Sequence, residues 1–378
     1  MEEWQVKHSG EILCVASNQG DQIASCGDDG VLLWSSDGAH TGSILVDQSL
    51  SSPVSGVCFG AGTSLYCTAG RQVCAFDTRS LTSPLWRLQL GGCDDDELNQ
   101  VSVNEKGSHV AACDDAGEIH VIEVRTGKVC KTLRRQHENV CTSVQFRPRR
   151  GAELATCGLD CKLVRWDYSC GRPLQREVLS KLTISETSSA GAQKASPQML
   201  NPPFLHQISF HESGSVLAAA AEDGAIRLFS GCGKDAMKLA HVLEGVHPSS
   251  ACQVQFSSFA PDSVLMSAGN DRRIVAWNVS TCVSQLTTRR AQGKKTPSAV
   301  TARRSKPASA ASVTASSASS NTCDTEAQLP TDTVSDTISH SVVGMHPTKI
   351  NWLTTCTSNN KVVIADQTAA LKAYAISG

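Results

Sequence analysis

Short apolar runs recur along this chain, each followed by a turn of small and acidic residues, a second apolar run and a large side chain. ASCGDDGVLLW occupies residues 24–34, and related phrases return as ATCGLDCKLVRWD at 155–167, AAAEDGAIRLF at 219–229 and MSAGNDRRIVAWN at 266–278. Runs this short, bounded by Gly and Asp, read as strands. The closing side chains are Trp34, Phe76, Ile122, Trp166, Phe229 and Trp277, and the first four are spaced about 42–46 residues apart. A repeat of that period, ending in an aromatic, predicts propeller blades of four strands each.

Four blades are expected within residues 1–179, over about 8–46, 54–90, 98–133 and 137–179. Blades five and six fall within 204–286, over 206–243 and about 247–286, and residues 341–378 hold a seventh. Residues 180–203 are rich in Ser, Thr, Ala and Pro; residues 287–340 begin basic and continue Ser/Ala/Thr-rich. Neither can bury enough apolar surface to offset its ordering entropy, so both are expected as disordered inserts. Blade seven offers only three strand-like runs, INWLTTCT, KVVIAD and ALKAYAI. The alternating Glu3-Trp4-Gln5-Val6-Lys7 supplies the missing one. Residues 2–7 should pair with the C-terminal blade, closing the ring and removing its open edges.

Composition narrows the function. The 378 residues carry a net charge of −2, so bulk charge does not imply nucleic acid as a direct ligand. Aromatics make up 4% while Ala, Ser, Val and Cys abound, which suits thin, tightly stacked sheets. The opening MEEWQVKHSG is too polar for a signal peptide, so the 17 cysteines are expected reduced. Cys14, Cys58, Cys113, Cys141 and Cys157 sit at strand positions as small hydrophobes. Without a C-x-x-C pair or a Cys/His cluster, neither a metal centre nor a cofactor is expected. No apolar run approaches the roughly 18 residues of a membrane span.

Within the blades a set of four residue types repeats: His8, Ser25, Asp29 and Trp34; His137, Thr156, Asp160 and Trp166; His247, Ser267, Asp271 and Trp277. Asp223 and Asp366 are the turn acids of blades five and seven. A buried carboxylate in a tight turn needs donors, and imidazole, hydroxyl and indole supply them. His137, Asp160 and Thr156 have the residue types of a hydrolytic triad. A constellation that recurs in three blades is architecture, however, and no catalytic residue is assigned.

These sets, with stretches such as TSVQFRPRRGAELATCGLDCKLVRWD and GNDRRIVAWN, resemble the WD-repeat family over nearly all of the chain outside the two inserts. The resemblance implies an all-β, seven-bladed WD-repeat β-propeller closed by its N-terminal strand. It also implies a monomeric platform that binds proteins and performs no chemistry.

Phe76-Asp77-Thr78-Arg79 ends the third strand of blade two, and Ile122-Glu123-Val124-Arg125 ends that of blade three. Consecutive blades would set Arg79 and Arg125 side by side on one rim. Some WD-repeat proteins carry Trp-Asp-x-Arg boxes in consecutive repeats and serve as substrate receptors of cullin–RING ubiquitin ligases. They dock on a triple-propeller adaptor, the damage-specific DNA-binding subunit. Carried over, that role falls to Asp77, Arg79, Glu123 and Arg125. Phe76, Ile122 and Glu123 depart from the pattern, and a docking helix before blade one is not evident. Two readings therefore stand: a ligase receptor with an unknown client, or a scaffold in a nuclear RNA-processing or chromatin complex unrelated to ubiquitin.

The second insert carries spaced basic groups, Arg289, Arg290, Lys294, Lys295, Arg303, Arg304 and Lys306, in the manner of a bipartite nuclear import signal. Residence in nucleus and cytoplasm follows as an expectation. Ser196 and Thr296, each followed by proline, are candidate phosphorylation sites.

Overall fold

The computed structural model describes residues 2–45, 50, 52–92, 96–179, 202–231, 236–292, 338–357 and 360–376. Seven four-stranded antiparallel sheets form seven blades. Blade one comprises Ile12–Ser17, Ile23–Gly27, Gly30–Trp34 and His40–Leu45; blade two Val54–Phe59, Ser64–Ala69, Gln72–Asp77 and Trp86–Gln89. Blade three comprises Leu98–Val103, His109–Asp114, Ile119–Glu123 and Lys128–Leu133; blade four Cys141–Phe146, Glu153–Gly158, Lys162–Asp167 and Arg172–Val178. Blade five comprises Leu205–Phe210, Val216–Ala221, Ile226–Ser230 and Lys238–Leu243. Blade six is built from Ala251–Phe256, Val264–Gly269, Arg273–Asn278 and His340–Met345. Blade seven takes Ile350–Cys356, Lys361–Asp366, Ala370–Ala375 and the N-terminal Glu2–Lys7.

The first strand of each blade neighbours the first strands of the blades before and after it, and that of blade seven meets that of blade one. These inner strands surround an axial cavity of about 350 Å³ lined in part by Gln100, Gln145, Gln207, Val57 and Trp352. Glutamine carboxamides staple successive inner strands. Gln100 Oε1 accepts from Val144 N, Gln145 Oε1 from Phe210 N, and Gln207 Oε1 from Val254 N, at 2.8, 3.1 and 2.8 Å.

Apolar packing explains the small-residue composition. Seven clusters of buried side chains lie one between each pair of neighbouring blades. A strand inside a blade therefore faces a neighbour on both sides, and Ile23–Gly27 and Val216–Ala221 are buried at every position. Ala and Cys fill such narrow gaps where larger side chains would force blades apart. Burial pushes the Cys282 thiol up to about 11 and the Cys356 thiol to about 12, so both act as uncharged hydrophobes.

The ring closes through the N-terminal strand. Glu2–Lys7 pairs antiparallel with Ala370–Ala375, Glu2 opposite Tyr374 and Lys7 opposite Ala370. Trp4 crosses to blade one, where its Nε1–H donates to Ser36 O at 3.0 Å. A Cβ on Gly38, whose φ is +86°, would lie 2.9 Å from the Trp4 ring, so this contact needs glycine.

Blade six differs from the sequence reading. Its outer strand is His340–Met345, which pairs with Arg273–Asn278. The second insert thus interrupts blade six between its third and outer strands, and the seventh blade begins after Met345. A helix, Ser280–Gln292, replaces the tail expected to end blade six near residue 286 and the first residues of the insert. Its Cys282, Val283 and Leu286 bury against the cluster between blades five and six. Residues 180–201 and 293–337 lie outside the described residues, and with them Ser196, Lys294, Lys295, Thr296, Arg303, Arg304 and Lys306. Arg289 and Arg290 stand in the helix.

Candidate functional site

The repeated side-chain sets are relays. In blade four, His137 Nδ1 meets Asp160 at 3.1 Å, His137 Nε2 meets Thr156 Oγ1 at 2.8 Å, and Trp166 Nε1–H donates to Thr156 Oγ1 at 2.9 Å. Blade one repeats this with His8–Asp29 at 2.7 Å, His8–Ser25 at 2.6 Å and Trp34–Ser25 at 2.7 Å. Blade six has His247–Asp271 at 2.9 Å, His247–Ser267 at 2.7 Å and Trp277–Ser267 at 2.8 Å. This corrects one detail of the sequence reading. Indole and hydroxyl do not reach the carboxylate; they are linked to it through the imidazole. The carboxylates take further bonds from backbone N–H groups, Ser9 on Asp29 and Glu138 on Asp160. A neutral imidazole that gives its one N–H to the ionised carboxylate leaves one proton order, Trp to Ser/Thr to His to Asp.

Electrostatics agree with that order. Burial holds His8 and His247 below their ordinary pKa, outweighing the adjacent carboxylates. Burial also pushes the Asp29 and Asp160 carboxyls up. The hydrogen bonds each receives from imidazole and backbone overcome it and hold both below the usual carboxylate range. Neutral imidazole beside ionised carboxylate is a structural state, with every group saturated.

The remaining blades are wired otherwise. Asp223 of blade five pairs with Arg227 at 2.5 Å, with no histidine on its carboxylate among the described residues. Asp366 of blade seven accepts from His346 Nε2 and Thr348 Oγ1 at 2.7 Å each, and His346 Nδ1 meets the Tyr374 hydroxyl at 2.7 Å. Sequence reasoning missed His346; the signal was His346-Pro347-Thr348, which parallels His247-Pro248-Ser249. Blade two lacks a turn aspartate. Buried Arg71 takes its place, donating to the carbonyls of Leu90, Gly91 and Asp96.

The opposite face carries the Asp-x-Arg turns. Arg79 N donates to Asp77 Oδ1 at 2.9 Å, and the guanidinium grips the same carboxylate through Nε at 3.0 Å and Nη2 at 2.6 Å. These bonds hold the Asp77 carboxyl well below its ordinary range. In blade three, Arg125 lies 4.0 Å from Glu123. The arginine side chains are 75% and 84% exposed. Both leave their blades in the turn between third and outer strand, hence on one face. Trp86, the first residue of blade two's outer strand, packs on the blade-three turn: a Cβ on Gly127, at φ +61°, would lie 2.9 Å from its ring. Leu85, beside Trp86, is exposed.

These arginines are not needed for the turn itself. Blade four makes the same turn with Ser169 N donating to Asp167 Oδ1 at 3.0 Å, and the same local bond, Ser280 N to Asn278 Oδ1 at 3.1 Å, opens the helix that follows blade six's third strand. Serine suffices there, since the turn is fixed by a side-chain oxygen capping a backbone N–H.

A family model described as outer membrane protein assembly factor BamB matches residues 2–227. The WD repeat-containing protein 53 homolog of Dictyostelium discoideum is 28% identical over 286 residues, covering 73% of this chain and 77% of that protein. The crystal structure of the WD40 β-propeller domain of Doa1 matches with a TM-score of 0.65 at 14% identity. The match covers all of this chain and 97% of that one, and at this identity it bears on fold alone. Among the described residues no helix is long and apolar enough to cross a membrane.

Proposed function

The chain belongs to the propeller family described by the BamB model and, by its repeats, to the WD-repeat β-propellers; on that premise we propose that it is a substrate receptor of a cullin–RING ubiquitin ligase, docking on the triple-propeller adaptor through the rim of blades two and three. Family membership supplies the coarser statement, a scaffold for protein interaction. The finer reading rests on one observation: Arg79 and Arg125 stand exposed at turn positions of two consecutive blades, where the equivalent position of blade four is filled by serine, and Trp86 of blade two packs on the blade-three turn. Because Asp77 holds Arg79 at Nε and Nη2, its Nη1 edge presents a fixed fork to an acidic or carbonyl-rich partner. The exposed pair adds little to stability.

We assign no chemical step to this chain, since its His–Ser/Thr–Asp sets recur and are saturated. The client would occupy the opposite face or the axial mouth, whose loop tips vary most freely. The basic residues from Arg289 to Lys306 would direct part of the population to the nucleus, with Thr296 as a modulating phosphorylation site.

Affinity for the purified adaptor, measured by biolayer interferometry, tests the docking. An Arg79→Ala/Arg125→Ala variant should melt like the parent and bind at least about tenfold more weakly, the order expected for interface arginines. Equal binding by both proteins overturns the docking rim at Arg79 and Arg125, and no binding by either overturns the receptor reading and leaves a nuclear scaffold outside ubiquitin transfer.

A further inference from the structure

Blade three holds a side-chain cluster that the relays do not use. Asp114 ends its second strand, Glu118 precedes its third and His120 lies within the third. Their ligating atoms all lie within 4.8 Å of one another. His120 Nε2 is 3.0 Å from Asp114 Oδ2, and Glu118 N donates to Asp114 Oδ1 at 2.7 Å. The group borders a cleft of about 450 Å³ between blades two and three, whose walls also include Arg71, Asp96 and Arg134.

We propose that Asp114, Glu118 and His120 bind one divalent transition-metal cation of the Mn²⁺ or Zn²⁺ class, with its remaining coordination positions open to this cleft. First, the spacing fits: donors about 2.0–2.1 Å from a tetrahedral metal stand about 3.3 Å apart. The Asp114–His120 separation therefore needs only exchange of a proton for a cation. Second, Asp114 is 1% exposed yet has two acceptor contacts for about four lone-pair sites. A buried carboxylate so sparsely bonded has capacity for a cation.

Third, blade seven is an internal control. There Asp366, which like Asp114 ends the second strand of its blade, is paired with His346 from before the inner strand, and the sites of the two are taken by Thr348, by Thr368 and by Tyr374. Blade three has in place of those hydroxyls a second carboxylate, Glu118, and an open cleft. Carboxylate and imidazole together suit Mn²⁺, Fe²⁺ and Zn²⁺. The cationic wall groups are accounted for. Arg71 is engaged by loop carbonyls, and Arg134, 59% exposed, pairs with Glu118 at 2.7 Å and must swing out as the metal enters.

Mn²⁺ is the discriminating probe, because it disfavours the thiolates this chain has in number. The loss of the free aqua-ion signal in electron paramagnetic resonance counts the metal bound to the full-length protein. The expected result is one equivalent in the parent, at least about tenfold weaker binding in Glu118→Gln and in His120→Gln, and tighter binding in Arg134→Ala. The order of those losses follows from the 10–100-fold cost of removing even an outer-shell partner. Glu118 is half-buried and its amide analogue keeps its shape, so that variant decides the matter should His120→Gln unfold. No stoichiometric uptake by parent and Arg134→Ala overturns the site, as does uptake that Glu118→Gln leaves unchanged.

Discussion

Replacing Thr156 with valine removes one oxygen and keeps the shape of the side chain. Thr156 is fully buried, and its hydroxyl joins Trp166 Nε1 to His137 Nε2 at 2.9 and 2.8 Å. Valine leaves a buried indole N–H without an acceptor and a buried imidazole nitrogen without a donor. Each orphaned group costs about 1–3 kcal/mol, while the gained methyl returns about 0.8 kcal/mol. The net expectation is a loss of about 1–5 kcal/mol, most of it borne by blade four.

Urea denaturation followed by far-ultraviolet circular dichroism measures the loss, with melting as a second readout. Thr156→Ser is the control. Serine fills the same position in blades one and six, where Ser25 and Ser267 make the same two bonds. It should therefore cost only about the roughly 1 kcal/mol of a deleted buried methyl. If valine falls within about 0.5 kcal/mol of the parent, or if serine costs as much as valine, the relay is not what holds the blade.

Acidification should destabilise the ring in two stages. His8 and His247 are held below 6.5 when folded, so the unfolded chain takes up protons first; stability is full above about pH 6.5 and declines as pH falls towards the folded values. Asp29, Asp160 and Asp366 are likewise depressed, so a second loss follows as pH falls below about 3.8. A melting temperature that rises between pH 7 and pH 5.5 would contradict this. Deleting residues 2–7 should lower the melting temperature and cause concentration-dependent association in light scattering, since it strips the partner from Ala370–Ala375 and Trp4 from Gly38; a monodisperse variant melting with the parent would show that the N-terminal strand does not close the ring.

Spacing made much of this fold legible, because each blade repeats one statement of turn, strand and anchor. The pairing of residues 2–7 with the C-terminal blade was readable from a strand deficit at one end and an alternating run at the other. The outer strand of blade six was not. An insert separates His340–Met345 from its partner Arg273–Asn278, and HSVVGM carries no turn acid or terminal aromatic to identify it. The helix had a signal in Cys282, Val283 and Leu286, one apolar stripe at helical spacing, obscured by the Ser/Thr-rich residues between them. Arg71 was unreadable for a physical reason. Guanidinium in place of carboxylate reverses the polarity of the turn, and only the loop carbonyls around it reveal that a donor serves there. The cluster at Asp114 was missed because metal ligands were sought among Cys and His pairs, whereas two of these three donors are carboxylates.

Repetition also separates framework from recognition. Blades one, four and six keep the full relay, and any of them can stand for the others. Blades two and three both abandon it: one turn is filled by Arg71, the other by an aspartate bound to His120. The same two blades carry arginines their turns do not require, and the cleft between them opens on the opposite face. A blade that keeps its relay has its turn residues committed to hydrogen bonds within the ring. In a blade anchored by other means the rim groups are held by single exposed pairs, Arg79 on Asp77 and Arg134 on Glu118, which a partner can compete for without dismantling the turn. Blades five and seven also depart from the relay, so departure alone does not mark a binding blade; blades two and three are set apart by combining it with exposed rim arginines and an open cleft. The two tests at this pair of blades are independent: the rim arginines answer to a protein, and the Asp114 cluster to a cation.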